Sequence, residues 1–194
     1  MTRSQILNSL IKKFGYKTFL EIGVNNGINF ESINSEYKVG VDPDPKSPAT
    51  LKITSDKFFE TNNQKFDLIF VDGLHHADQV YKDILNSLDF LEDGGAILVH
   101  DCNPLTEASQ IVPRMQTYWH GDVWKAWVKL RAERYDLSMF VIDTDCGCGL
   151  ITKGVQDKLV TSEEINYKNL EKHRENWLNL KTKEYYTEWL EKSK

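Results

Sequence analysis

The sequence has few cysteines, few prolines and no long hydrophobic run. Its 194 residues include 3 cysteines and 5 prolines. No apolar stretch approaches the roughly 20 residues of a membrane-spanning helix, and residues 1–14 lack the uninterrupted apolar core of a signal peptide. An odd number of cysteines without a framework spacing argues against a disulfide scaffold. We therefore expect a cytoplasmic protein that has no membrane partner.

Concentrated positive charge is also scarce. The chain has 29 acidic residues against 24 lysines and arginines, which gives a net charge of −5. Because nucleic-acid binding needs clustered positive charge, this balance argues against nucleic acid as the main partner. The 40% hydrophobic content is typical of one globular domain with a buried core.

Residues 19–27 form the most informative segment. An apolar run there contains Glu21 and continues into a glycine-spaced turn, and a second short run at residues 38–41 is followed by Asp42. A strand, a glycine turn, a helix and a strand that ends in an acid form half of a nucleotide-binding α/β unit. The second acid can accept hydrogen bonds from a ribose diol, so we predict a nucleoside-containing ligand.

The remaining apolar runs predict the fold class. They are apolar throughout, as expected for parallel strands that are covered on both faces. The predicted strands lie at 18–22, 38–41, 51–54, 67–71, 96–100, 138–142 and 149–152. The last two are joined too closely for a crossover and predict an antiparallel hairpin. We predict a doubly wound, Rossmann-like, mostly parallel seven-stranded sheet with a C-terminal hairpin and helices on both faces.

Helical spacing predicts the segments between the strands. It indicates an N-terminal helix that Gly15 ends, and helices at residues 77–91, 108–118 and 123–134. Residues 161–194 are charged and contain regularly spaced aromatic residues, which predicts one or two amphipathic helices. These helices would dock on the body or on a second subunit, so a homodimer through them is one expectation.

Four segments in order carry a more specific resemblance. They are residues 19–27, 39–42, 66–73 and 94–101. With the hairpin, they resemble class I S-adenosylmethionine-dependent methyltransferases over residues 19–152. Residues 71–76 and 99–104 are similar to the subgroup of macrocin-type and catechol-type small-molecule O-methyltransferases. We expect a methyltransferase domain at residues 1–160 and a helical extension at residues 161–194.

The resemblance implies S-adenosylmethionine as the cofactor and a small-molecule or sugar hydroxyl as the methyl acceptor. Glu21 would face the amino end of the methionine, Asp42 would hold the ribose hydroxyls, and Asp56 would contact the adenine amine. Asp72 would border the same site. Local alternatives stay open: Glu21 as a solvated strand end, Asp42 as a turn former, and Asp56 as part of a helix cap.

The glycine loop departs from the common family pattern at one position. Gly23 and Gly27 occupy the outer glycine positions, whereas Asn25 stands where many methyltransferases have a third glycine. Asparagine tolerates left-handed backbone better than most side chains, so we expect the turn to form and all three residues to border the cofactor.

A second group of residues carries the predicted catalysis. Asp72 and Asp101 follow neighbouring strands of the expected sheet, so both carboxylates should face the cleft. His75 is the first candidate for the general base because histidine accepts protons near neutral pH, and His76 is the second. Either histidine could instead hydrogen-bond a loop or cap a helix, and His100 is predicted to be a core residue.

The same two carboxylates predict a metal site. Asp72 and Asp101 could hold Mg²⁺ through oxygen, and the ion would lower the pKa of an acceptor hydroxyl. Catechol-type relatives have an asparagine after the second aspartate, but this chain has Cys102, which is a poor magnesium ligand. His100 or Asn103 would have to compensate, so the metal stays open.

Aromatic and basic residues before the hairpin have two interpretations. Trp119, Trp124 and Trp127 could cover a ring or a sugar, although core packing is the better explanation for most of them. Arg114 and Arg131 could bind an acidic group of the substrate or form surface ion pairs.

Two other functions share the first motif. An NAD(P)-dependent oxidoreductase would use the same strand, loop and acid, but the glycine spacing is incomplete for that class and the hairpin is unexpected. A catalytically silent nucleoside-binding protein of the same fold is the other alternative, because fold alone does not prove activity.

Overall fold

The structure is a computed structural model that describes residues 1–193. Its strands are β1 (Thr18–Ile22), β2 (Tyr37–Val41), β3 (Phe66–Val71), β4 (Leu91–Val99), β5 (Leu137–Ile142), β6 (Cys148–Lys153) and β7 (Leu180–Lys181). They form one sheet in the order β2-β1-β3-β4-β6-β5-β7. Strands β1 to β4 are parallel, whereas β6 runs antiparallel to both β4 and β5. The predicted sheet and its closing hairpin are confirmed.

Helices cover both faces of the sheet. They are α1 (Arg3–Phe14), α2 (Ile28–Ser32), α3 (Ser55–Thr61), α4 (Ala77–Asp89), α5 (Glu107–Gln110), α6 (Val123–Glu133), α7 (Tyr167–Leu178) and α8 (Lys183–Lys192). Residues of α3, α4, α6 and α7 share one core cluster with Leu20, whereas residues of α1 and α8 share the other with Phe19. Neighbouring residues of β1 therefore face opposite layers, which explains why the strand is apolar throughout. In the described part of the chain, no helix is long and apolar enough to cross a membrane.

Local signals define the N-terminal helix. The Thr2 side chain accepts a hydrogen bond from the backbone N–H of Gln5, and the Gln5 side chain accepts one from the backbone N–H of Thr2. This reciprocal capping box starts α1. Gly15 ends the helix with a left-handed backbone at φ 69°. The predicted stop at Gly15 is confirmed.

The strand predicted at residues 51–54 is wrong. Only Leu51 pairs with Val41, as an isolated bridge, and the Thr54 hydroxyl already accepts the capping hydrogen bond of α3. The chain enters α3 at Ser55, and only Leu51 of this segment pairs with β2. The seventh strand is β7, which comes from the C-terminal segment.

The fourth parallel strand is longer than the predicted segment at 96–100. It begins at Leu91, and its pairing with β3 shifts register between Phe66 and Leu68. Gly95 lies inside the strand, where an added Cβ would come within 2.6 Å of the Asp67 carbonyl oxygen. Gly95 therefore marks a close backbone approach inside the strand.

The helix predicted at residues 108–118 is also wrong. Helix α5 covers only Glu107–Gln110, and the chain then continues in bends. Pro113 has no backbone N–H to donate, and it disfavours helical backbone at the preceding residue. The neighbouring prediction at residues 123–134 is confirmed by α6.

The C-terminal segment crosses the sheet edge and packs on both faces. Leu170 and Trp177 of α7 are buried in one core cluster, whereas Tyr186 of α8 is buried in the other. The Trp127 indole also donates to the Leu178 carbonyl at 3.1 Å. The two amphipathic helices are therefore confirmed and dock on the body. The division at residue 160 and a homodimer through these helices stay predictions.

Candidate active site

A cleft of 720 Å³ lies at the carboxyl ends of the first four strands. This is where ligands bind in open α/β sheets, and the volume is within the range of small-molecule sites. The predicted residues that line it are Gly23, Asn25, Asp42, Asp56, Asp72, His75 and Asp101. Three other predicted residues, Glu21, Gly27 and His76, lie outside this lining.

The glycine loop approaches the neighbouring strand end very closely. Gly23 has φ 90°, and an added Cβ would lie 2.1 Å from the Asp72 carbonyl oxygen. Asn25 has φ 50°, which confirms that asparagine takes the left-handed backbone expected for the missing glycine. Gly27 precedes α2, where an added Cβ would meet Pro48 at 2.5 Å. The loop therefore needs its two outer glycines.

Asp42 connects the second strand to this loop. One oxygen of its carboxylate, Oδ2, accepts a hydrogen bond from the Asn25 N–H at 2.7 Å. The other, Oδ1, accepts from the Asp44 N–H at 2.8 Å. These backbone donors orient a partly exposed carboxylate along the wall of the cleft.

Glu21 is buried beneath the cleft. Its Oε2 accepts a hydrogen bond from the Asn29 amide at 2.9 Å, and its side chain is almost inaccessible to solvent. Burial raises the pKa of Glu21 to about 8, although the Asn29 hydrogen bond lowers it in part. A cation in the adjacent cleft would favour the ionised form of Glu21 and would lower its pKa.

Asp56 lines the opposite end of the cleft. It lies in the first turn of α3, but the residue that caps this helix is Thr54. The Asp56 carboxylate contacts Lys82 Nζ at 2.8 Å and accepts from the Gln79 amide at 3.0 Å. The Lys82 hydrogen bond is the main reason that the pKa of Asp56 is lowered.

His75 lies between the two predicted carboxylates. Its Nε2 is 3.2 Å from Asp72 Oδ1, and its Nδ1 is 3.1 Å from Asp101 Oδ2. The second contact lacks hydrogen-bond geometry, so Nδ1 is buried without a hydrogen-bonded partner among residues 1–193. The ring also stacks on Trp119, with centroids 5.3 Å apart. The strand ends therefore bring Asp72, His75 and Asp101 together at the cleft, where both carboxylates were expected.

The charges of this group support one another. Burial alone would raise the pKa of Asp72, but the His100 and His75 rings outweigh burial and lower it. Burial alone would lower the pKa of His75, but the Asp72 hydrogen bond and the Asp101 charge raise it above its ordinary value. A proton on His75 is therefore stabilised between two carboxylates.

His100 is buried and connects this group to the N-terminal helix. Its Nδ1 lies 3.3 Å from both Asp72 Oδ1 and Asp101 Oδ1. Arg3 Nη1 lies 2.8 Å from His100 Nε2 and 3.2 Å from Asp145 Oδ1. Because a guanidinium only donates, Nε2 accepts in this contact and the Nδ1–H faces the carboxylates. Arg3 and Asp145 are distant in sequence and carry no motif, so no local pattern predicts their contact with His100.

The oxygen ligands for a magnesium site are incomplete. The Cys102 thiol is buried against the Val99 carbonyl, and the Asn103 amide donates to Asp143. His100 does reach both aspartates, but it offers nitrogen to an ion that prefers oxygen. The residues present therefore do not match Mg²⁺ well, and a metal at Asp72 and Asp101 stays a prediction.

The cleft is also lined by Arg114, Tyr118, Trp119 and His120. The other aromatic and basic candidates are structural. Trp124 and Trp127 are fully buried in the core, and Arg131 donates to the backbone carbonyls of residues 176 and 177.

His76 occupies the position before α4, but its side chain makes no capping bond. Asp122 caps this helix instead by accepting from the Ala77 N–H at 2.7 Å. Asp122 is separated from Ala77 by 45 residues, so local sequence could not indicate the contact.

Comparison with known proteins adds an independent observation. Residues 20–102 match the family model for a methyltransferase domain. The resemblance to class I S-adenosylmethionine-dependent methyltransferases is confirmed. The matched residues include the glycine loop and both strand-end aspartates, Asp72 and Asp101. No curated protein matches it.

Solved structures show the same fold at low sequence identity. A Klebsiella pneumoniae protein thought to be an O-methyltransferase is 15% identical with a TM-score of 0.60, over 79% of this chain and 80% of its own. The Bacillus cereus O-methyltransferase in complex with S-adenosylhomocysteine is 18% identical with a TM-score of 0.56, over 80% and 82%. The Streptomyces achromogenes O-methyltransferase of tomaymycin synthesis, in complex with S-adenosylmethionine, is 14% identical with a TM-score of 0.58, over 78% and 79%.

Proposed function

We propose that this protein transfers the methyl group of S-adenosylmethionine to a hydroxyl group of a small molecule or a sugar. The observation that carries the proposal is the His75 ring held between Asp72 and Asp101, beside the glycine loop in one cleft. Two of the similar structures contain S-adenosylhomocysteine or S-adenosylmethionine, and one acts in the synthesis of a small molecule.

The cofactor would lie across the strand ends. The ribose hydroxyls would bind the Asp42 carboxylate, which the Asn25 and Asp44 amides already orient. The adenine amine would approach Asp56 at its end of the cleft. The methionine ammonium would lie over Glu21, where its positive charge would offset the burial that raises the pKa of this carboxyl.

Close backbone packing would shape the middle of the cofactor site. Neighbouring segments pack so closely against Gly23 and Gly27 that neither position has space for a Cβ. The glycine loop therefore lies close to the adjacent strand end. Asp72 follows the adjacent strand and would border both the cofactor and the acceptor. This arrangement would place the methyl group near His75.

The chemistry requires positioning and removal of one proton. The sulfonium already activates the methyl group, so the chain mainly has to hold an oxygen in line with it, an effect worth on the order of 7–11 kcal/mol in the best intramolecular models. The acceptor hydroxyl would donate to the Asp72–His75–Asp101 group, and His75 would carry the proton. The two carboxylates would stabilise the imidazolium that forms. His76, the second candidate base, lies outside the cleft lining and is the weaker choice.

The acceptor would occupy the part of the cleft beside Trp119. This indole stacks on His75, and its Nε1 donates to the Ile111 carbonyl at 2.6 Å, which holds the ring in place. Arg114 lies 5.8 Å from the same ring, with its guanidinium bound to backbone carbonyls. An aromatic ring beside cationic groups suits a cyclic hydroxyl compound.

Calorimetric titration of the purified protein tests the cofactor. We expect S-adenosylmethionine and S-adenosylhomocysteine to bind and NAD to show no heat, with and without Mg²⁺. Binding of NAD alone would instead favour an oxidoreductase. Tight binding of S-adenosylmethionine without methyl transfer to any of a panel of sugar and aromatic hydroxyl acceptors would favour a catalytically silent protein.

A further inference from the structure

His120 is buried without a hydrogen-bonding partner. The residue is only 1% exposed, and neither ring nitrogen has a hydrogen-bond partner among residues 1–193. An imidazole always has at least one nitrogen that donates and one that accepts, unless it is charged. Leaving both nitrogens buried and unpaired costs free energy, so the arrangement indicates a ligand that the ring would bind.

Two further ligand atoms converge on His120. Its Nε2 lies 4.0 Å from Asp101 Oδ1, and a nitrogen of His120, an oxygen of Asp101 and the Cys146 sulfur all lie within 4.8 Å of one another. All three residues line the cleft. Nitrogen, oxygen and sulfur donors therefore surround one point on the acceptor side.

The backbones that carry these ligands are held in place. The His120 N–H donates to the Ser109 carbonyl at 2.8 Å, and the Cys146 carbonyl accepts from the Asn103 N–H at 3.0 Å. Asp101 and Cys146 both have left-handed backbone, at φ 61° and 65°. Such conformations in residues other than glycine persist only where the surrounding structure enforces them.

Gly121 fixes the position of His120 relative to the catalytic group. An added Cβ at Gly121 would come within 1.8 Å of the His75 carbonyl oxygen. Only glycine allows the two backbones to approach so closely, so His120 is held next to His75.

We propose that Asp101, His120 and Cys146 bind a divalent transition-metal ion of the zinc type. Imidazole, thiolate and carboxylate are the ligands that zinc and cobalt ions prefer, whereas Mg²⁺ prefers oxygen. Tetrahedral coordination places such ligand atoms roughly 3.5 Å apart, so the ion would draw the three side chains slightly inward. All three residues line the cleft, so a further ligand would come from it. Asp101 would bind the ion through Oδ1 while Oδ2 remains beside His75 Nδ1.

A neighbouring combination of ligands is less suitable. His100, Asp145 and Cys146 also lie close enough together for a metal. However, Arg3 Nη1 is 2.8 Å from His100 Nε2, and this guanidinium repels a second cation at that nitrogen. Among residues 1–193, no donor bonds either ring nitrogen of His120, so the site with Asp101 is favoured.

Cobalt titration of the 194-residue protein tests the site. After treatment with a chelator, Co²⁺ is added and the visible and near-ultraviolet spectrum is recorded without cofactor or acceptor. We expect one equivalent of Co²⁺ to bind with a thiolate-to-metal charge-transfer band, Zn²⁺ to displace it, and excess Mg²⁺ to leave it unchanged. Because neither cofactor nor acceptor is present, this result is independent of the proposed methyl transfer.

Two variants and one control locate the ion. Cys146→Ser should remove the thiolate band, and His120→Gln should weaken Co²⁺ binding by roughly tenfold or more. His173→Gln is the matched control, because this histidine stacks on Trp177 in α7, away from the cleft. It should bind Co²⁺ like the unaltered protein.

Thermal unfolding supplies a second measurement that also reports on folding. His120→Gln should unfold at a temperature close to that of the unaltered protein without metal, but Zn²⁺ should raise the Tm only of the unaltered protein and the control. No Co²⁺ binding, or binding that His120→Gln leaves unchanged, would overturn the proposal. Loss of binding in Asp72→Asn with retention in His120→Gln would also overturn it and assign the ion to the carboxylate pair.

Discussion

The two halves of the cleft are built in different ways. The half that we propose for the cofactor, called the cofactor half, is lined by Gly23, Asn25, Asp42 and Asp56. The half that we propose for the acceptor, called the acceptor half, is lined by Arg3, His75, Asp101, Trp119, His120 and Cys146. In the cofactor half, the polar contact that orients Asp42 joins residues only 17 positions apart. In the acceptor half, Arg3 approaches His100, which is 97 positions away.

This difference affects the electrostatics of each half. Backbone N–H groups orient Asp42, and such donors are neutral and fixed. The acceptor half instead contains imidazoles and carboxylates that contact one another directly, so each charge changes its neighbours. Asp42 is therefore oriented by nearby backbone groups, whereas the charges around His75 and His100 also depend on side chains from distant segments. Four variants test this distinction.

His75→Ala should have the largest effect and should affect only the acceptor half. Loss of the proton carrier should lower kcat by roughly 10²–10⁴-fold, whereas the Kd for S-adenosylmethionine should stay within about twofold. Methyl-transfer kinetics and calorimetry measure the two quantities, and His173→Ala is the control. Equal losses of turnover and cofactor affinity would contradict the assignment of His75 as the base.

Asp42→Ala should show the converse effect in the cofactor half. Hydrogen bonds to a charged carboxylate are worth about 1.5–3 kcal/mol, so the Kd for S-adenosylmethionine should rise by about one to two orders of magnitude. Turnover at saturating cofactor should change little. The exposed ion-pair residue Asp93 provides the control variant Asp93→Ala. An unaltered Kd in Asp42→Ala would refute the ribose contact.

Asp83→Asn tests the support beneath the cofactor half. Asp83 is buried in α4 and accepts a hydrogen bond from Gln79, the residue that also contacts Asp56. Burial raises the pKa of Asp83 to about 6. Between pH 4 and pH 6 the unfolded chain therefore binds fewer protons than the folded chain, and stability falls as pH rises.

The neutral asparagine removes this pH dependence. We expect Asp83→Asn to raise the free energy of unfolding at pH 7.5 by on the order of 2 kcal/mol and to differ little from the unaltered protein at pH 3.5. Urea unfolding at both pH values measures the difference. A variant that is destabilised equally at the two pH values would show that the carboxylate geometry, and not its charge, matters.

Trp119→Ala should have the smallest effect. Aromatic stacking pairs contribute about 0.5–1.5 kcal/mol, so loss of the ring beside His75 should lower kcat/KM for the acceptor by roughly 2–10-fold. Cofactor affinity should not change, because Trp119 belongs to the acceptor half. Trp119→Phe should recover most of the loss. A similar loss in both variants would indicate that the indole N–H contact to Ile111, and not stacking, carries the effect.

Apolar runs predicted most of the sheet but not its edges. Strands β1, β3 and β5 each bury all but one residue, so their composition identifies them. The two-residue strand β7 has no local signature, because only its pairing with Val141 and Ile142 defines it. Residues 51–54 had strand-like composition but were used for one bridge and a helix cap.

The candidate site also contains some residues that a local pattern predicts and others that it does not. Asp42, Asp72 and Asp101 were predicted to face one cleft because parallel strands end at the same sheet edge. The roles of Arg3 and Asp145 in the cleft were not predicted, nor was the lack of hydrogen-bond partners for the His120 ring among residues 1–193. These features depend on how the N-terminal helix, the hairpin loop and residues 111–122 meet, which no local pattern encodes.

By itself, the sequence determined six of the seven strands, the left-handed glycine loop and the acids at the strand ends. These features follow from steric and hydrophobic preferences that act over a few residues. Only the tertiary structure decided that His75 lies between two carboxylates and that His120 is buried beside Asp101 and Cys146. Side-chain distances across a cleft depend on how the packed layers meet, and packing is a property of the whole chain.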